Sequence, residues 1–485
     1  MLLSSLTGPE VVASEAISGI EVTGITADSR AVQPGFLFAA LPGTKVDGAR
    51  FIADAVARGA VAVLVDARAV VPSVAVPMLR AVEARQALAL IASRFYAVQP
   101  KVSVAVTGTN GKTSVAEFTR QIFATLGRTA ASLGTIGLIK PDGAVYGSLT
   151  TPDPVSLHKT LAELAREGVT HVALEASSHG LEQHRVDGVR LAAAAFTNLG
   201  RDHLDYHPSE DAYFAAKMRL FSERLAAGQT AVINADGARA EDASAVARAR
   251  GLRVLTTGRQ GRDIELRSLA RDGFAQHIVI RHAGRDFDLR FPLLGAYQVE
   301  NALVAAGLAI AAGEDAASAI EAIGHLSGVK GRLDIVGERA GGLAVVDYAH
   351  KPEALAAALD ALRPFVSGRL ICVFGCGGDR DKGKRPIMGR IASQKADVVI
   401  VTDDNPRSEK PEVIRAEILA ASHSAREIGD RAEAIRAGVA MLGKGDVLLV
   451  AGKGHETGQI VGDTVLPFSD HEAVLAALEG GGTHG

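Results

Sequence analysis

The chain has little cysteine, little excess charge and no long apolar run. Cys372 and Cys376 are the only cysteines in 485 residues. Two cysteines without a His pair at zinc spacing make a weak metal case, and a reduced, cytoplasmic protein is the expectation. Fifty-two Lys and Arg stand against 55 Asp and Glu, a formal charge of −3. That balance gives no general attraction to nucleic acid or to an anionic membrane. Asp66 and Arg68 break the Val61–Leu79 stretch, and no run reaches the roughly 20 apolar residues that a membrane span needs. The opening MLLSSLTGPEVV lacks a basic n-region and a long apolar h-region, so it does not read as a signal peptide. No repeat of fixed period is found. What is present is ample apolar material, 47% of the residues, and a length that suggests about three domains.

One stretch organises the rest. Val102–Val106 is a short apolar run rich in β-branched residues, followed by Thr107-Gly108-Thr109-Asn110-Gly111 and a helix-compatible pattern from Lys112. Strand, glycine-bearing turn and helix start are the geometry of a phosphate cradle. Backbone N–H groups face the anion, and the helix adds its positive dipole end. Lys112 can reach the outer phosphates, and the Thr113 hydroxyl suits magnesium. The general P-loop pattern asks for Gly where Val106 stands. From the pattern alone, the alternative is an ordinary Gly-rich strand-to-helix turn.

Residues 1–98 read as a small α/β domain, with strands at Phe36–Leu41 and Ala60–Val65 and a helix at Phe51–Arg58 between them. Its polar loops, Asp28-Ser29-Arg30 and Gly43–Gly48, read alone as solvated turns. An amphipathic helix at Glu83–Ala97 leads to a Gln99-Pro100 linker. Residues 99–330 alternate strand and helix. His171–Glu175 ends on a carboxylate, and Leu191–Thr197 runs into Asn198–His203. Ligands collect beyond the carboxyl ends of parallel strands, so Glu175 and His203 are candidate magnesium ligands beside the cradle. Lys217 reads as a helix-surface lysine. In residues 331–485, the strands Leu343–Val346, Leu370–Phe374, Val398–Val401 and Val447–Val450 each run into a polar loop. Right-handed crossovers put all four loops on one sheet edge.

Seven segments then stand in order: Gly108–Thr113, Thr150-Thr151-Pro152, EASSHG at Glu175–Gly180, Asn198–His203, DYAHKP at Asp347–Pro352, DNPR at Asp404–Arg407, and GKGHE at Gly452–Glu456. In these the chain resembles the Mur ligases over nearly its whole length. The resemblance implies an α/β protein of three domains: an N-terminal UDP-substrate domain (1–98), a central P-loop ATPase domain (99–330) and a C-terminal Rossmann-like parallel-sheet domain (331–485). It implies an ATP-dependent, amide-forming ligase of peptidoglycan precursor synthesis that works through an acyl phosphate. Within the family, the chain is similar to members that add meso-2,6-diaminopimelate to the D-glutamyl γ-carboxylate of UDP-N-acetylmuramoyl-L-alanyl-D-glutamate.

The same resemblance assigns residues. Gly108, Thr109, Asn110, Gly111, Lys112, Thr113 and Ser114 would hold the ATP phosphates, and Asn301, Arg332 and Asp347 the rest of the nucleotide, with His350 a weaker candidate. Lys112, Glu175, His203 and Lys217 would be catalytic. Thr113, Glu175, His203 and a carbamylated Lys217 would serve magnesium. The UDP substrate would lie on Ala27, Ser29, Thr44, Lys45, Val46, Thr150, Thr151, Ser177, Gln183 and Arg185. Leu149 stands where relatives carry Asn. The amino acid would lie on Arg380, Asp404, Asn405, Pro406, Arg407, Gly452 and Glu456. A cytoplasmic monomer with small-molecule substrates is expected. The rivals are a lysine-adding relative, folylpolyglutamate synthase, and a P-loop switch that ligates nothing.

Overall fold

The computed structural model describes residues 1–14, 16–43, 47–145, 147, 149–203, 206–422 and 424–480. Thr44, Lys45 and Val46, expected at the UDP substrate, lie outside the described residues. The chain forms two compact units: Met1–Ile264 with Val304–Ala319, and Glu265–Leu303 with the chain from Ile320 onward.

The first unit carries an N-terminal sheet in the order Val12–Ala13, Met78–Ala81, Ala62–Asp66, Phe36–Ala40, Gly24–Thr26. All its pairings are parallel except that of Val12–Ala13. The expected Phe51–Arg58 helix is a 3₁₀ turn at Gly48–Phe51 followed by an α-helix at Ile52–Ala57. The Ala84–Tyr96 helix covers one face with Ala87, Leu88 and Ile91. It is tied to the following part of the unit by polar links. Gln86 Nε2 donates to Asp187 Oδ2 at 3.0 Å, and Ser93 Oγ and Gln99 Nε2 donate to Gly188 O at 3.0 and 2.9 Å.

That following part has a parallel run of strands in the order Arg253–Gly258, Thr230–Asn234, Leu191–Phe196, Val102–Thr107, His171–Glu175, Ala130–Gly134. Strands buried on both faces need apolar residues throughout, and Val104, Ala105 and Val106 are fully covered. From the Val102–Thr107 strand the chain passes to one side, through Ala130–Gly134 and His171–Glu175. It then passes to the other at Leu191–Phe196. Parallel sheets place their ligands where the strand order reverses in this way. The Gly108 loop, Glu175 and the Asn198 loop all leave from that point.

In the second unit, an antiparallel ribbon of Ile264–Asp272, Ala275–His282 and Arg285–Phe291 precedes a six-stranded sheet. The sheet order is Asp334–Arg339, Gly342–Asp347, Val447–Ala451, Leu370–Phe374, Val398–Val401, Arg426–Glu427. All but the first pairing are parallel. The four expected strands are therefore neighbours, and their polar loops leave on one edge.

Candidate active site

In the first unit, the Gly108–Gly111 loop is shaped by its glycines. Gly108 has φ +149°, and a Cβ there would lie 1.9 Å from Thr197 Oγ1. Gly111 has φ +86° and starts the Lys112–Thr125 helix. The Asn198 loop braces the cradle: Thr109 N–H donates to Asn198 O at 2.8 Å, and Asn110 N–H to Asn198 Oδ1 at 3.1 Å. Lys112 Nζ donates to Gly108 O and Thr109 O, both at 2.9 Å.

Lys217 is not a surface residue. It is 1% exposed, and its Nζ donates to the same Gly108 carbonyl at 2.7 Å and lies over the Tyr213 ring. Burial, and then the Lys112 charge, hold its pKa well below the usual lysine value. A buried amine sharing one carbonyl with a second ammonium favours its neutral, nucleophilic form. That form is what capture of carbon dioxide requires.

Glu175 is buried and fixed by a residue that sequence reasoning missed. Thr135 N–H donates to its Oε1 at 2.8 Å and Thr135 Oγ1 to its Oε2 at 3.1 Å. Only glycine fits beside it at position 134, where a Cβ would meet Glu175 Oε1 at 2.0 Å. Thr113 and Glu175 line one small cleft of about 10 Å³, room for about one water or ion. His203 has φ +54°, and its ring packs 4.8 Å from that of His179 and 6.0 Å from that of Tyr213. His203 and Lys217 therefore both pack against Tyr213. Among the described residues, no group of three or more His, Cys, Asp or Glu side chains is arranged to hold a metal. A hydroxyl and a carboxylate on one ion-sized cleft nevertheless fit a hard cation. Lys217 would join them only as a carbamate.

Of the residues expected at the UDP substrate, Ala27, Gln183 and Arg185 line a second cavity of this unit, about 510 Å³, together with Leu149 and Arg85 among others. Ser29 neighbours Asp28, which also lines it. Arg185 Nη1 donates to Thr151 O at 2.8 Å, and its Nη2 to Gln183 Oε1 at 2.7 Å. Burial lowers the Arg185 pKa, with Asp153 opposing and Arg85 reinforcing the effect. Thr151 Oγ1 donates to Glu175 O at 2.8 Å and accepts from Ser177 N–H at 3.0 Å. Thr150 Oγ1 lies 3.0 Å from Thr135 Oγ1. Thr135 thus links the carboxylate to the Thr150-Thr151 pair.

The second unit brings together Asn301, Arg332 and Asp347. Asn301 Nδ2 donates to Gln298 Oε1 at 3.0 Å, and Gln298 Nε2 to Arg332 O at 2.9 Å. Asp347 accepts from Leu333 and Ala349 N–H at 2.7 and 2.8 Å. Burial raises its pKa to about 6, with Arg332 opposing. The Arg332 guanidinium lies over the Tyr348 ring, and His350 and His455 also pack on that ring.

At the neighbouring strand ends, the Asp404–Arg407 loop is held in an unusual shape. Asn405 and Arg407 have φ +47° and +53°. Asn405 Nδ2 donates to Glu456 Oε2 at 2.9 Å. Arg407 Nη1 donates to Gly378 O at 2.9 Å, and its backbone pairs with Ile460 and Gly462. Gly452 has φ +124°, and a Cβ there would lie 2.4 Å from Asp404 Oδ2. A Cβ on Gly377 would lie 2.7 Å from Arg407 Nη1 and 3.8 Å from Arg380 Cγ, so both arginines flank that glycine. Arg380 is exposed and donates to Asp379 O at 3.0 Å. Pro406 O accepts from Glu409 N–H at 3.1 Å. Lys453, buried under the loop, was missed by sequence reasoning.

Three family models match: the Mur ligase family catalytic domain at residues 21–96, the Mur ligase middle domain at 106–309 and the Mur ligase glutamate ligase domain at 331–454. The chain belongs to the Mur ligase family. It is 58% identical, over 99% of both chains, to the UDP-N-acetylmuramoyl-L-alanyl-D-glutamate–2,6-diaminopimelate ligase of Bradyrhizobium diazoefficiens. A solved structure of a ligase with that same description is 35% identical and covers 95% of each chain with a TM-score of 0.70. The MurF ligase of Thermotoga maritima in complex with ADP shares the fold, at 20% identity, 95% and 97% coverage and a TM-score of 0.63.

Proposed function

We propose that this chain adds meso-2,6-diaminopimelate to the D-glutamyl γ-carboxylate of UDP-N-acetylmuramoyl-L-alanyl-D-glutamate, using ATP. The observation that carries the reading is the convergence of Lys112 and Lys217 on one cradle carbonyl. It lies at the strand-order reversal from which Glu175 also leaves.

The γ-phosphoryl of ATP moves to the substrate carboxylate, and ADP leaves. The Gly108–Ser114 backbone and Lys112 orient the phosphates and spread the developing charge. Bound magnesium would neutralise phosphate charge and polarise the transferring phosphoryl. Thr113 and Glu175 would hold it, with His203 and a carbamylated Lys217. The diaminopimelate amine attacks the acyl phosphate, the tetrahedral intermediate collapses, phosphate leaves and the amine proton is lost. The Arg185 cavity takes the UDP substrate, together with residues 44–46. Asn301, Arg332 and Asp347 take the nucleoside side of ATP. Asp404–Arg407, Arg380, Gly452 and Glu456 take the amino acid, where the Arg407 fork suits the distal carboxylate that lysine lacks.

The reading includes domains at 1–98, 99–330 and 331–485, a monomer, and action in the cytoplasm. No described helix is long and apolar enough to cross a membrane. The test is phosphate release from ATP by the purified chain. Release should require both the UDP-dipeptide and diaminopimelate. Release with lysine as efficiently as with diaminopimelate would favour the lysine-adding reading.

A further inference from the structure

Lys453 has no role in the reaction described above, yet it is a fully enclosed cation beside the Asp404–Arg407 loop. Its side chain is fully buried. Its Nζ lies 2.9 Å from Asn405 Oδ1, 3.6 Å from Asp404 Oδ1 and 3.5 Å from Glu456 Oε2. An ammonium has three N–H donors, and three oxygens surround this one. Burial lowers its pKa, and the Asp404 and Glu456 charges oppose that.

Charges of both signs stand around it. Arg431 is taken up by Asp470 through two hydrogen bonds of 2.7 and 2.8 Å, and it also donates to Ala451 O at 3.0 Å. That pair is neutral by itself. Two carboxylates, Asp404 and Glu456, face Lys453, and the other cations of the site are Arg407 and the exposed Arg380. Arg407 donates to the backbone oxygens of Gly378 and Asn405, which leaves its charge uncompensated by those bonds. A pocket with separated charges of both signs matches the distal end of diaminopimelate, which carries one ammonium and one carboxylate. It opposes the distal end of lysine, which carries only an ammonium. Without Lys453 the same walls are more negative by one charge, a change that favours the lone ammonium of lysine.

We propose that Lys453 is a specificity-determining residue: by neutralising one of the two adjoining carboxylates, it makes the amino-acid pocket select a zwitterionic distal group over a cationic one. The proposal rests on the reading of Asp404–Arg407 and Glu456 as the amino-acid site. Lys453 also holds Asn405, whose Oδ1 accepts from Ile460 N–H at 2.9 Å, so its loss loosens the loop as well. A purely structural role would lower efficiency for both amino acids alike. A charge-balancing role shifts their ratio.

The experiment is the ratio of kcat/KM for meso-diaminopimelate over L-lysine in wild type, Lys453→Gln, Lys453→Arg and Arg407→Ala. Lys453→Gln keeps an amide donor and loses the charge, and its ratio should fall by about tenfold or more. Lys453→Arg keeps the charge, and its ratio should stay within about threefold of wild type. An unchanged ratio in Lys453→Gln, with a changed one in Arg407→Ala, overturns the proposal and leaves the site intact. Equal falls in the Gln and Arg variants overturn it too. Unchanged ratios in both Lys453→Gln and Arg407→Ala overturn the site reading itself. A measurement on wild type needs no folded variant: 2-aminopimelate keeps the distal carboxylate and lacks the distal ammonium. It should be used about tenfold less efficiently than diaminopimelate, and equal use overturns the charge balance.

Discussion

At Lys112, a point charge sits on the cradle carbonyls it would leave for a phosphate. Lys112→Ala should abolish ligation with the fold retained, because it removes the cation aimed at the transferring phosphoryl. The check is turnover alongside circular dichroism, and near-normal turnover by a folded variant contradicts the assignment. From its own stretch of sequence Lys217 was legible only as a helix-surface lysine, and its role as a carbamylated ligand came from the family resemblance alone. It meets Gly108 across 109 residues of sequence, and no local pattern on the Glu210–Ser222 helix reports a partner so distant. Lys217→Ala should lose about a hundredfold or more in kcat, the scale of removing one electrostatic stabiliser. Added short-chain carboxylic acid should restore part of it by standing in for the carbamate. A loss with no response to any such acid argues for a bare amine that only packs. Arg407→Ala should cost about 2–4 kcal/mol of transition-state stabilisation for diaminopimelate, read as the fall in kcat/KM for that amino acid. An unchanged value contradicts the role given to Arg407.

At the scale of elements, the phosphate loop and the four C-terminal strands were readable because the same residues that build them also punctuate them. Apolar β-branched runs stop at Gly, Asp or Lys, and parallel pairing carries every stop to one edge. What could not be read is the bracing between loops. Thr135 holds Glu175, Asn198 holds the cradle and Lys453 holds Asn405, each through contacts distant in sequence. The loops at the ends of the Gly342–Asp347 and Val447–Ala451 strands also make a pH prediction. Burial chiefly, helped by Arg332, keeps His455 neutral down to about 4. Burial does the same for His350, to about 4, helped by Lys384. An unfolded histidine titrates near 6.5. Each His therefore contributes stability that is present above pH 6.5 and lost as pH falls toward 4, on the order of 3 kcal/mol apiece. Asp347 runs the other way, because its raised folded pKa favours the protonated form as pH falls from about 6. Two histidines outweigh one aspartate, so the melting temperature should fall between pH 6.5 and 4.5. His455→Gln should show the smaller fall, and equal falls in wild type and variant contradict the burial argument.

Across the whole molecule, the order of motifs carried more than any one of them. A Gly-Thr-Asn-Gly-Lys-Thr turn is an ambiguous phrase alone. Followed by EASSHG, DYAHKP, DNPR and GKGHE, it defined a family that the three matched segments bear out. Boundaries were less legible, because the chain from Glu265 to Leu303 packs with the C-terminal sheet while Val304–Ala319 packs with the first unit. A contiguous reading of the sequence has no means to foresee that exchange. The central claim is a single reaction, and one measurement tests it most directly. Wild-type protein is mixed with ATP, magnesium, UDP-N-acetylmuramoyl-L-alanyl-D-glutamate and meso-diaminopimelate, and phosphate release and the mass of the UDP product are followed together. The account predicts one phosphate per product heavier by one diaminopimelate residue, and neither signal when either substrate is omitted. Phosphate release that ignores the amino acid, or a UDP product of unchanged mass, would contradict it.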